Sequence, residues 1–99
     1  MPNSALTDPL NRVIVLHDHT WFGHMLKGHP EMKGLRGESE RAITAPDSIC
    51  YSNSSVNCRL YFAANPAGPL PYIAVVADLR LGLVLTAYQA KRIKGAIEW

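Results

Sequence analysis

The chain contains no apolar run of about 18 residues or more, so its sequence offers no membrane-spanning helix. It carries little net charge, +2 at pH 7. A strong long-range field is therefore absent, and a weak basic balance admits nucleic acid without requiring it. Cysteine is scarce, with two residues, Cys50 and Cys58. Their spacing matches neither a zinc ligand set nor a CxxC redox pair. A disulfide across a hairpin is open geometrically. With no signal peptide ahead of them, two reduced apolar side chains are the expected state. Internal repeats and low-complexity segments are missing. Histidine is missing from all but one short segment, HDHTWFGHMLKGHPE, which holds all four: His17, His19, His24 and His29.

At 99 residues the length predicts one domain with a modest core. Residues 1–11 are polar, carry two prolines and lack a charged leader or apolar run. They read as a flexible N-terminal tail, with the domain over 12–99. RVIVL at 12–16 is β-branched and predicts a strand. Asp18 or Thr20 is expected to cap a helix carrying Trp21, Phe22, Met25 and Leu26 at helical spacing. Gly28 and Pro30 end it, because proline cannot continue the ladder and disfavours helix at the residue before it. ESERAITA at 38–45 predicts a second short helix, stopped by Pro46. ICYS (49–52) and RLYFA (59–63) around the turn-forming NSSVN predict a hairpin. NPAGPLP (65–71) is a loop. YIAVVAD (72–78) is a central strand buried on both faces, and LVLTAY (83–88) the last strand. Residues 89–99 are expected as a short helix or an irregular tail over the sheet edge. Short turns join antiparallel strands. The expected fold is α+β, with N-terminal helices packed on one face of an antiparallel sheet of about four strands.

The segment 79–99 sets Arg80, Lys91, Arg92 and Lys94 against a single acid, Glu98, and forms a basic patch. The histidine segment admits three readings. His17 and His19 share a face in an extended segment and, with His24, suggest a metal-dependent hydrolase, although HxH alone is a weak signal. Read blandly, His17 and His19 are surface residues at a strand end and a helix start. As acid–base chemistry, the segment offers His24 and His29. On an ideal helix these two lie about 140° apart, but the break at Gly28–Pro30 lets His29 swing toward the same cleft. Arg59 and Tyr61 alternate onto one sheet face, as do Thr86 and Tyr88. A guanidinium and a hydroxyl opposite a histidine-bearing helix suggest a phosphate pocket.

Trp21, His24, Met25, His29, Pro30 and Glu31 form the pattern W-x-x-H-M-x-x-x-HPE. It is followed by I-x-x-P-D-x-I (43–49), RLYF (59–62), IAVVAD (73–78) and V-x-TAY (84–88). This set, over about residues 13–99, resembles the phage and toxin-type nuclease domains of the barnase–EndoU–colicin–RelE superfamily, the PBECR-like group. The resemblance implies helices on a four-stranded antiparallel sheet and metal-independent RNA cleavage by 2′-hydroxyl transesterification, without a cofactor. It puts His24 and His29 at the motif histidines, and Arg59, Tyr61 and Thr86 at the phosphate.

The sequence thus predicts a small endoribonuclease of toxin or phage type, with RNA also held by Lys27, Tyr88, Lys91, Arg92 and Lys94. No metal is expected. A cognate inhibitor or antitoxin protein is an expected partner, a membrane is not, and a cytoplasmic monomer or weak homodimer is expected. The alternatives are a non-catalytic module binding nucleic acid or a partner protein, and the histidine-ligated metal hydrolase.

Overall fold

A computed structural model of the chain describes residues 3–66 and 68–99. The parts of the expected tail at 1–2 and of the expected loop at 67 lie outside them. Strands dominate. β1 (Asn3–Thr7), β2 (Val13–His17), β3 (Ser48–Tyr51), β4 (Cys58–Ala64), β5 (Tyr72–Asp78) and β6 (Leu83–Ala90) form one sheet in the order β1-β2-β6-β5-β4-β3. Four consecutive strands, β3 to β6, form an antiparallel meander. β2 joins β6 in parallel, and β1 pairs antiparallel with β2. The result is a curled, mixed, six-stranded half-barrel with two short helical segments. This overturns the expected α+β fold of helices on about four antiparallel strands.

The first 11 residues account for much of the difference. From Asn3 the expected tail is a strand, in register with β2 from Asn3 opposite His17 to Thr7 opposite Val13. Its turn is built on Asp8, whose side-chain Oδ1 accepts from the backbone N–H of Leu10 and of Arg12, both at 2.9 Å. Asn11 takes the left-handed conformation the turn requires, at φ 66°. Alternation in SALT already fits a half-buried strand: Leu6 packs against the core and Ala5 is exposed.

The first helical segment runs from α1 (Asp18–Thr20) through a π-helical turn (Trp21–Met25) into α2 (Leu26–Gly28). Trp21 and Met25 are its buried side chains. The expected caps are not made. His17 holds the N-cap position without a side-chain bond, and the Asp18 carboxylate instead accepts from the Arg36 guanidinium. Pro30 opens a 3₁₀ turn (Pro30–Met32), where its missing N–H costs nothing. α3 (Arg36–Thr44) buries Ser39, Ala42 and Ile43.

These helices cover one face of the sheet. Trp21, Met25, Met32 and Ile43 pack on Ile14, Leu16, Ile49, Tyr61, Ile73 and Val75. The opposite, open face carries a second cluster around Cys50, Phe62 and Ala74. β5 contributes to both, as its continuous apolar run predicts. Both cysteines are buried and free. A bulge opposite Val76 and Ala77 leaves Leu85 without a partner and exposed. Beyond β6, residues 91–95 are irregular. The chain then hooks along the outer edge of β3: Ala96 accepts from Tyr51 N–H at 2.8 Å, and Glu98 N–H donates to Ile49 at 2.7 Å. No helix of the described residues is long and apolar enough to cross a membrane.

A candidate basic cleft on the open sheet face

Strand alternation builds the floor. Tyr88 stands opposite Ala74, which stands opposite Phe62, while Thr86, Val76 and Leu60 form the next rung. All six therefore point to the open face. Over Leu60, Phe62, Tyr88 and Ala90 lies a cleft of about 600 Å³. One wall is Tyr51 to Ser54; the other is the 91–95 strap, with Lys91, Arg92 and Lys94 at the rim. Ile93, between these cations, turns inward and packs on the open-face cluster. One apolar side chain thus seats the strap and leaves three cations in solvent. Gly95 closes it at φ 108°, where a Cβ would come within 2.9 Å of the Tyr51 carbonyl oxygen. Only glycine takes that conformation at that approach without strain.

His29 stands just outside the cleft. Its ring lies 5.9 Å from the Tyr88 ring, centre to centre, and its Nδ1 is 3.5 Å from Glu31 Oε2. The side chain is 38% exposed, so the imidazole is open to a ligand. Gln89 reaches from β6 to the Glu31 carbonyl at 3.4 Å and ties this loop to the sheet. Burial raises the Tyr88 phenol above its ordinary pKa, so it stays protonated as a donor. Of the residues predicted for the site, His29, Thr86, Tyr88, Lys91, Arg92 and Lys94 lie on or beside this face. His24 and Lys27 are exposed on the first helical segment.

Arg59 and Tyr61 are elsewhere. They share a face, as alternation predicts, but it is the helix-covered one. The expected single pocket joining Arg59 and Tyr61 to Thr86 is therefore split by the sheet itself. Tyr61 is fully buried and donates its hydroxyl to Asp8 Oδ2 at 2.5 Å. Asp8 also accepts from Arg12 Nε at 2.8 Å. Arg12 continues to Glu98 with two bonds of 2.7 and 3.0 Å. Arg59 Nε meets the same carboxylate at 3.1 Å, and its guanidinium lies 4.4 Å from the Tyr51 ring centre. Four alternating charges thus link the β1–β2 turn, β4 and the C-terminal hook.

The titrations follow from these contacts. Burial works to raise the Asp8 carboxyl, but the Tyr61 hydroxyl and the Arg12 amide and guanidinium outweigh it, and the group ends below its ordinary value. For Glu98 the Arg12 hydrogen bonds dominate, burial opposes them and Arg59 adds to them, again lowering it. Arg12 is driven further up by Glu98. Burial, then Asp8, pushes the Tyr61 phenol up. Sequence reading missed Asp8, Arg12 and Glu98. The turn-forming DPLN and the lone acid among C-terminal cations were the available signals.

Among the described residues no three His, Cys, Asp or Glu side chains are grouped to hold a metal ion. His17, His19 and His24 therefore form no ligand cluster. Comparison with family models finds no match, and comparisons with curated proteins and with solved structures find none either.

Proposed function

We propose that the chain binds single-stranded RNA in the open-face cleft. The observation that carries this reading is the pairing of an apolar, tyrosine-edged floor with a rim of three cations on one strap. Phosphates suit Lys91, Arg92 and Lys94, while a base suits the Tyr88 ring, since every base has a stacking face. The experiment is a titration of a labelled oligouridylate at several salt concentrations. Three phosphate contacts give log affinity against log salt a slope of about −2. Binding with no salt dependence would remove the reading.

His29 favours a second reading, metal-independent cleavage of the bound strand, which the HPE and TAY resemblance also supports. In that reaction the His29 imidazole takes the 2′-hydroxyl proton and the 2′-oxygen attacks the adjacent phosphorus. The bond from phosphorus to the 5′-oxygen breaks. The Tyr88 phenol is the nearby donor for that leaving oxygen, giving a 2′,3′-cyclic phosphate and a free 5′-hydroxyl. RNA incubated with and without EDTA tests it. The expected outcome is EDTA-insensitive cleavage that is lost in His29→Ala while oligonucleotide binding persists. Equal cleavage by His29→Ala and wild type would refute the role of His29.

A further inference from the structure

We propose that Glu98 is a positioning residue for the cleft, a latch that holds the cationic strap above its floor. This rests on the reading of the cleft as a polyanion site. The strap at 91–95 has no helical or strand bonding of its own. It is held at one end by the end of β6, in its middle by Ile93, and at the other end by the hook at 96–99. The hook's backbone bonds to Ile49 and Tyr51 run along an outer sheet edge, where Ala96, Ile97 and Trp99 are exposed. Edge bonds of this kind compete with water and hold a segment weakly. Glu98 is the exception. Its side chain is only 14% exposed and turns to the guanidinium groups of Arg12 and Arg59. Two charge-assisted hydrogen bonds forked from Arg12 and an ion-pair contact with Arg59 converge on one carboxylate.

Arg12 is itself fixed by Asp8, whose side chain is fully buried and held by Tyr61. The latch is therefore anchored in the core rather than at the surface. Gly95 lies three residues before Glu98 and passes close to the Tyr51 carbonyl, so a shift of the hook moves the strap with it. Released, the strap would still carry its cations but would no longer aim them together at one strand. Preformed alignment contributes to affinity because the ordering cost is met before the ligand arrives.

Glu98→Gln keeps the shape and removes the charge. Two measurements on it, against wild type, test the latch. In hydrogen exchange of the unliganded protein, the amides bonded between the hook and β3, those of Ile49, Tyr51, Glu98 and Trp99, exchange at least about tenfold faster in the variant, while those of β4 and β5 are unchanged. In oligouridylate titrations the salt slope becomes shallower by at least about 0.7, one single-strand phosphate contact. A merely structural role lowers overall stability and leaves the slope alone. If Glu98→Gln does not fold, Glu98→Asp, which keeps the charge but draws it back, is measured the same way. A folded variant that binds with the wild-type salt slope overturns the latch, whether or not the hook amides exchange faster. Wild-type protein that leaves oligouridylate unbound at low salt overturns the cleft reading and the latch with it. That failure is read on the wild type and is therefore distinct from failure of the latch alone, which is read on the variant.

Discussion

Tyr61 and Asp8 show how much one buried pair decides. The Asp8 carboxylate accepts four bonds, from two backbone amides, Arg12 and Tyr61. Removing the phenolic donor leaves a buried charge short of one partner. Tyr61→Phe is therefore expected to lose about 1–3 kcal/mol in urea unfolding; an unchanged midpoint would show that the bond is dispensable. Asp8, with Glu98, also sets the acid limit. Asp8 and Glu98 are both held below their ordinary values when folded. Their stabilisation is fully present above the unfolded pKa values and is lost as pH falls through the folded ones, from about pH 5 downward. Asp8→Asn should flatten that acid dependence, measured as urea midpoints across the range. None of this was legible residue by residue. Tyr61 and Arg59 announce their shared face by alternation, but nothing local says which face the helices will cover.

At the scale of elements, the strap at 91–95 is the part whose conformation the cleft needs. Gly95→Ala would set a Cβ against the Tyr51 carbonyl at a positive φ. A strain of about 1–2 kcal/mol is expected there. It should appear as weaker oligonucleotide binding together with a lower thermal midpoint, since about 1 kcal/mol shifts the midpoint of a domain this size by roughly 4–8 °C. A wild-type affinity in a folded Gly95→Ala would mean that the strap tolerates displacement. The helical and strand segments from Val13 to Ala90 follow the sequence reading closely, since apolar spacing, Pro30, Pro46 and the turn residues mark their limits. β1 was missed for a physical reason. A five-residue edge strand offers few repeats of its alternation, and the two prolines flanking it in sequence, Pro2 and Pro9, with its polar residues, resemble a lead-in. Its partner β2 is adjacent, but its turn depends on the Asp8 side chain, which propensity does not weigh.

Across the whole molecule, the cleft brings together parts far apart in the chain: β4, β6, the 51–54 wall and the strap. On the proposed reading its floor stacks bases, which a duplex keeps paired with each other. Single-stranded RNA is therefore expected to bind at least about fivefold more tightly than a duplex of equal length, the return from stacking about one base. Equal affinities in a competition titration would assign the binding to charge alone. His29, in the loop after the first helical segment, and Tyr88, on β6, meet only because that segment lies along β6.

The sequence by itself determined where the chain is helical, where the meander runs, and that histidines and C-terminal cations are each gathered in one segment. Those features rest on local periodicity and composition, which neighbours in the chain carry. The tertiary structure decided that the N-terminal strand closes a mixed half-barrel, that Arg59 and Tyr61 serve a buried charge network, and that His29 rather than His24 stands at the cleft. These depend on which sheet face is covered and on charges paired across up to 86 residues, as between Arg12 and Glu98. Such pairings are settled by burial and geometry in three dimensions, and no local pattern encodes them.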